Sequence, residues 1–323
     1  MQRTALVLMI ALVSSGIAMA ADRPVGHSFA TRSVVHAQHG MVAAAHPLAV
    51  EIGLGVLKDG GSAVDAAIAV NAALGFMEPV SCGLGGDLFA MVWDPETETL
   101  RGLNASGRAP RALTADKVPA EPDGTIPVYS PYAWTVPGCA DGWFTLHARF
   151  GRLPMKRLLE PTVTAAREGA PVPRVIAGSW ARGAAKFQDM PGFAEVFMPG
   201  GTVPAEGELF ANPALADTLE RMASGGREAF YGGETAEALV AFSDEVGGFF
   251  SLEDLAEHRS DWVEPVSTTY RGHTVWELPP NGQGIAALQI LNLIEGFDVA
   301  SMGRDSADFW HLLVEAKKIA YED

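Results

Sequence analysis

Cysteine is nearly absent: the 323 residues hold two, Cys82 and Cys139. That excludes a disulfide-stapled scaffold. The two do not form a Cys-x-x-Cys pair, so a zinc ribbon and a thioredoxin-type site are excluded as well. Positive charge is also scarce, with 23 Lys+Arg against 39 Asp+Glu and a formal net charge of −16. A chain this acidic repels phosphate backbones and anionic membrane surfaces, so nucleic acid is not an expected partner. Long apolar runs are missing too. The run Ala5 to Val13 falls well short of the ~20 residues that a membrane-spanning helix needs, and no later segment does better. Gly-x-Ser-x-Gly, Ser-x-x-Lys and His-Glu-x-x-His motifs do not occur, which removes a nucleophile elbow, a serine β-lactamase type and a zincin. Among eight histidines the one close pair is His36-x-x-His39, read as surface loop and not as a metal site. No metal and no organic cofactor is expected.

What is present is a globular composition, 48% hydrophobic and 19% charged. The first residues read as a secretory signal peptide over residues 1–21. Arg3 supplies the early charge, Ala5 to Val13 the apolar core, and Ala18-Met19-Ala20 the small-x-small site, with the cut after Ala20 or Ala21. The mature chain, 22–323, is then expected to be exported, periplasmic or extracellular, and to form one continuous domain. In an oxidising compartment Cys82 and Cys139 either pair or stay as two buried thiols.

Along the mature chain, Pro47 opens a helix with an apolar stripe, and Gly60-Gly61 ends it. Ser62 and Asp65 form a capping box for a second helix, Ala63 to about Phe76, apolar nearly all round and so expected to be buried. A Gly-rich loop, Ser81 to Asp87, leads into Leu88 to Trp93. That run is apolar on both faces and reads as a strand buried on both sides. Asp94 to Thr97 turns the chain into a second strand ending near Leu103. The order helix, helix, hairpin is α+β and not a repeating βαβ. Helical patterns recur at Leu158–Arg167, Gly178–Phe187, Leu215–Met222, Thr235–Phe242 and Gly284–Leu293. Ser251 and Asp254 form another capping box, and Tyr270–Leu278 reads as a strand. A last amphipathic helix carries Phe309, Leu312, Leu313, Ala316 and Ile319. It stops at Asp323 without a glycine cap, which reads as truncation inside an element.

Two features invite a functional reading. The Gly-rich loop lacks phosphate-loop spacing and enters a strand. It is either a tight turn or a backbone surface pressed against a substrate. Arg108, in Asn104-Ala105-Ser106-Gly107-Arg108-Ala109-Pro110, is placed to bind a carboxylate bidentately or to pair with a surface acid.

Taken in order, several stretches resemble the gamma-glutamyltransferase family of N-terminal-nucleophile hydrolases. They include His46-Pro47-Leu48, Gly60 to Ala67, Glu78-Pro79, Gly83 to Gly86, Val136-Pro137-Gly138 and Gly151 to Pro154. Phe230-Tyr231-Gly232, Tyr270-Arg271-Gly272 and Pro279-Pro280 continue the series. The resemblance implies an αββα sandwich made from a self-cleaving precursor, of which this chain is the incomplete large-subunit part. It implies a nucleophilic threonine downstream of Asp323, so that no catalytic residue lies in this chain, and a small subunit cut from the same precursor as partner. It implies acyl transfer from gamma-glutamyl amides such as glutathione, with Arg108 holding the substrate's α-carboxylate. Two departures open an alternative. The family's arginine lies further ahead of the Ala-Pro pair, and its Pro-Ser-Ser-Gly-Gly is here Pro280-Asn281-Gly282-Gln283-Gly284. Both fit an acylase-like amidohydrolase acting on glutaryl or cephalosporin-type side-chain amides. A non-catalytic exported binding protein is the remaining alternative.

Overall fold

The computed structural model describes residues 34–119 and 124–322, so the expected signal peptide lies outside the described residues. The chain divides into two units, Met1–Met41 and Val42–Asp323. In the first, residues 34–41 are exposed coil, and they include His36 and His39. All that follows concerns the second.

Helix α1 (Pro47–Lys58) starts with His46 as its cap, whose Nδ1 accepts the Leu48 N–H at 3.2 Å. It buries Ala49, Gly53 and Val56. A Cβ on Gly53 would stand 2.5 Å from a Val70 methyl, so only glycine lets α1 lie this close to α2 (Ala63–Met77). The capping box forms as the sequence indicates. Asp65 N–H donates to Ser62 Oγ at 3.0 Å, and Ser62 N–H donates to Asp65 Oδ2 at 2.8 Å. Asp65 Oδ2 also accepts the N–H groups of Arg152 and Leu153, at 2.9 and 3.1 Å.

Strands β1 (Leu88–Asp94) and β2 (Thr99–Ala105) pair antiparallel, Leu88 opposite Ala105 and Asp94 opposite Thr99. One expectation is corrected here. Leu88, Ala90 and Val92 pack on the core, but Phe89, Met91 and Trp93 are 42, 44 and 59% exposed. Their all-apolar sequence hides a period-2 split, because among the described residues helices cover one face of this sheet only.

Helices α3 (Cys139–Phe150) and α4 (Met155–Glu168) follow. A two-residue bridge, β3 (Ala170–Pro171), leads into α5 (Arg174–Phe187) and the short α6 (Phe193–Phe197). Strand β4 (Leu209–Phe210) pairs with β3 and precedes α7 (Pro213–Gly225), α8 (Glu228–Tyr231), α9 (Gly233–Glu245) and α10 (Leu252–Glu257). Strand β5 (Asp261–Val263) then adds to the far side of β2, Asn104 opposite Asp261, giving the order β1-β2-β5. The core runs between α2, α3, α4, α7 and the inner face of this sheet. Ile68, Phe76, Leu103, Trp143, Leu158 and Leu219 are all buried there.

The stretch read as one strand from Tyr270 is a hairpin. Strand β6 (Val266–Tyr270) turns at Arg271-Gly272, both at positive φ, into β7 (His273–Glu277). The turn is what the reading passed over: Gly272 supplies the left-handed backbone that reverses the chain. Helices α11 (Gly284–Ile294), α12 (Val299–Met302) and α13 (Ala307–Glu322) complete the chain. Among the described residues, no helix is long and apolar enough to cross a membrane.

Candidate functional site

The C-terminal end of β2 runs into the Arg108 loop, and the Gly-rich loop and the stretch before α3 hold its backbone. Gly107 is the tightest point: a Cβ there would lie 1.9 Å from the Val136 carbonyl oxygen. Its N–H donates to Asp87 Oδ1 at 3.0 Å, and the Arg108 carbonyl accepts the Val136 N–H at 3.0 Å. Gly138 is equally confined, a Cβ there falling 2.0 Å from the Ala105 carbonyl oxygen. The Gly-rich loop joins this arrangement through one atom. The Gly86 carbonyl accepts both Gly138 N–H at 3.1 Å and Cys139 N–H at 2.9 Å. It thereby satisfies donors at the start of α3 that would otherwise be orphaned. This is the tight-turn reading of that loop, seen in atomic terms.

Arg108 itself is 72% exposed at its side chain and pairs with Asp261, 61% exposed, with Nη2 to Oδ2 at 2.8 Å. Of the two readings of Arg108, pairing with a surface acid is the one seen: the guanidinium has Asp261 as its partner. It keeps further N–H donors in its fork.

The two departures from the family pattern meet at the same edge. Ser106 Oγ donates to Asn281 Oδ1 at 3.2 Å, and Asn281 Nδ2 donates back to Ser106 Oγ at 3.0 Å. Asn104 Nδ2 donates to the same Asn281 oxygen at 2.9 Å. A neutral amide–hydroxyl cluster therefore stands beside the Arg108–Asp261 pair.

Beneath this edge lies a buried polar network drawn from residues far apart in the chain. Asp141, in the first turn of α3, accepts Ser260 N–H at 2.7 Å and Ser260 Oγ–H at 2.5 Å, and pairs with Arg227. Arg227 also donates to the His258 carbonyl. Tyr231 donates from its hydroxyl to the Pro137 carbonyl at 2.6 Å and accepts Asp141 N–H at 3.0 Å. Burial works against the Asp141 carboxylate, but the bonds from Ser260 and Arg227 prevail and hold its pKa below the usual range. Burial raises the Tyr231 phenol. His258 is 4% exposed and stacks on Tyr231 with ring centroids 5.6 Å apart. Neither of its ring nitrogens has a hydrogen-bond partner among the described residues. Burial lowers its pKa, with Asp141 opposing.

A cavity of about 340 Å³ opens beside Arg108, with Arg111, Asp254, Glu257, His258 and Arg259 in its wall. A second, of about 380 Å³, lies among Val80, Trp180, Phe187, Phe193 and Phe197 and has no charged residue in its lining. Cys82 and Cys139 are free thiols. Burial pushes Cys139 up to about 12, with smaller contributions from Cys82 and Asp87. A thiol so raised is inert at neutral pH.

Of the site residues, sequence reasoning reached Arg108 alone. Asp87 had a weak signal, as the charged residue closing the Gly-rich loop. Asp141, Arg227, His258 and Asp261 had none, because their partners lie far away in the chain.

Comparison with known proteins gives this geometry a family. The family model described as gamma-glutamyltranspeptidase matches residues 49–323. The "Glutathione hydrolase-like YwrD proenzyme" of Bacillus subtilis is 36% identical over 284 residues, covering 88% of this chain and 54% of that protein. Among solved structures, cephalosporin acylase from Bacillus halodurans superposes with a TM-score of 0.83 at 41% identity, covering 92% of this chain and 56% of that one. Helicobacter pylori gamma-glutamyltranspeptidase gives a TM-score of 0.83 at 29% identity, covering 90% and 84%. The chain spans about half the length of the curated relatives it matches. The α+β, N-terminal-nucleophile-hydrolase expectation therefore holds, and the chain belongs to the gamma-glutamyltranspeptidase family.

Proposed function

We propose that this chain is the large-subunit part of an exported gamma-glutamyl transferase/hydrolase precursor. A threonine on the small subunit, cut from the same precursor, attacks the gamma-glutamyl amide carbon. Its hydroxyl proton passes by way of the α-amino group to the leaving amine as the C–N bond breaks. Water or a second amine then takes the acyl group from the threonine ester. Arg108 holds the donor's α-carboxylate through the N–H groups that Asp261 leaves free. The match to the family over residues 49–323 carries this reading.

A second reading has its own support. The neutral Asn104–Ser106–Asn281 cluster, together with the 41% identity to a cephalosporin acylase, favours an acylase acting on glutaryl-type amides.

The test is made on the complete gene product, purified after export, by intact mass and N-terminal sequencing. The expected result is two chains, the second beginning with threonine, and release of anilide from a gamma-glutamyl anilide. A single uncut chain would sink the enzyme reading and leave a binding protein. Cleavage of the glutaryl anilide alone would install the acylase.

A further inference from the structure

The cavity of about 380 Å³ has no part in the proposed reaction and shares no lining residue with the cavity beside Arg108. Three segments wall it. Val80 and Ser81 come from the turn after α2, Trp180 and Phe187 from α5, and Phe193 and Phe197 from α6.

The aromatic walls are braced from outside the cavity and against one another. Trp180 is buried and meets Phe210 edge to face, with ring centroids 4.7 Å apart. Its indole N–H donates to the Phe197 carbonyl at 3.0 Å. Phe193 stands between Phe187 and Phe197, with centroids 5.9 and 5.4 Å away. The space is therefore formed before anything enters it, which lowers the cost of binding.

Gly183 is the reason the space is open. It lies in the interior of α5, where glycine is a poorer helix former than alanine. A Cβ there would meet nothing nearer than a Phe187 ring carbon at 4.0 Å. Neither a turn nor a close backbone approach calls for glycine at this position. What the missing side chain leaves is cavity volume.

The lining selects the occupant. It carries no charged residue, so an ion would lose water without gaining a partner. An apolar cavity of about 150 Å³ already accepts benzene, so this one has room for one or two fused rings. Aromatic walls favour another aromatic ring over a saturated one. Two hydroxyls supply the polarity. Ser179 Oγ is taken by Arg182 Nη2 at 2.9 Å. Ser81 is exposed, and no hydrogen bond engages its hydroxyl among the described residues. We propose that this cavity is a binding site for a small, uncharged aromatic molecule of the phenol or indole class, oriented by one hydrogen bond to Ser81. The site stands apart from the gamma-glutamyl reading and does not depend on it.

The experiment titrates indole into the complete gene product, purified after export, by isothermal titration calorimetry. A Kd of about 0.1–1 mM is expected for a ligand of this size. Gly183→Leu fills the cavity and should weaken binding at least about tenfold. Gly178→Leu, on the same helix but outside the lining, should leave it unchanged. Phenol should bind about two- to tenfold more tightly than cyclohexanol, as the aromatic contacts require. Phe193→Ala, at a half-buried wall residue, should erase that preference, and it serves if Gly183→Leu fails to fold. Absence of indole binding, or binding that Gly183→Leu or Phe193→Ala leaves untouched, overturns the proposal. The proposed function would stand in either case, since its own test is chain cleavage and anilide release.

Discussion

Ser106 and Asn281 lie 175 positions apart in sequence and exchange hydrogen bonds in both directions, at 3.2 and 3.0 Å. Asn281 ties the loop after β7 to the edge of β2, beside the residue proposed to bind substrate. Asn281→Ala would leave Asn104 Nδ2 and Ser106 Oγ to water. Both are near solvent, so the stability cost is expected to be small, about 0.5–1.5 kcal/mol. Urea unfolding checks that figure. The larger effect should be on KM for whichever amide the complete enzyme prefers, since the loop next to Arg108 loses its support.

Arg108→Lys is expected to bind substrate almost as poorly as Arg108→Ala. An ammonium cannot supply two parallel N–H donors while Asp261 holds a third. The KM for the gamma-glutamyl anilide should rise about ten- to a hundred-fold, with less change in kcat. Thermal unfolding should be unmoved, because the Arg108–Asp261 pair is exposed and screened. A large loss of stability would instead make Arg108 a structural residue.

Gly107→Ala should prevent the loop from closing. A methyl 1.9 Å from the Val136 carbonyl oxygen forces the backbone apart and breaks both the Asp87 and Val136 bonds. The expected loss is about 3 kcal/mol. Differential scanning calorimetry of Gly107→Ala against Gly83→Ala tests it, since a Cβ on Gly83 meets nothing within 4 Å.

The two buried histidines make stability depend on pH with a definite sign. Burial lowers the folded-state pKa of both His46 and His258. An unfolded histidine titrates near 6.5, so below that pH the unfolded chain binds protons that the folded chain resists. Stability is expected to fall as pH drops from about 6.5 toward the lowered folded values. Replacing His258 with phenylalanine, which keeps the stack on Tyr231, should flatten part of that slope in urea midpoints measured from pH 7 to 5. Equal slopes with and without His258 would show that its protonation is not linked to folding.

Asp141 works at lower pH and in the opposite sense. Its folded pKa lies below that of an unfolded aspartate, near 3.9. Its contribution is therefore full above about pH 4 and is lost as pH falls through the folded value. Asp141→Asn removes the buried charge facing Arg227, which keeps Glu228 and the His258 carbonyl as partners, and should cost about 3 kcal/mol at pH 7. It should also remove part of the acid limb of the stability profile.

Where the chain's own neighbours decide the structure, the sequence was readable. The Ser62/Asp65 and Ser251/Asp254 capping boxes both form, because each needs atoms only three residues apart. Pro47 at a helix start and the burial of most of α2 follow from equally local rules, although Ala63 and Ala67 stay exposed. Helix α3 was not foreseen. Gly142 and Asp141 interrupt its apolar stripe, and the reasons for both lie elsewhere. Gly142 leaves room for the Ala105 methyl, 2.8 Å from where its own Cβ would be. Asp141 meets Ser260 and Arg227, 119 and 86 positions away. The exposed side of β1 was hidden for a related reason: an apolar residue does not say which layer covers it. Arg108 was legible as a cation held by Gly and Pro, whereas its partner Asp261 is set by strand register alone.

Asp65 Oδ2 receives three N–H groups, one from its own cap and two from a turn 87 and 88 residues later. The first spans only three residues. The other two come from the turn that follows α3. One carboxylate oxygen thus joins the start of α2 to a distant turn, and Asp65 acts as a latch between the two. A chain carrying Asp65→Ala should lose more than a helix end: the turn between α3 and α4 would have no acceptor.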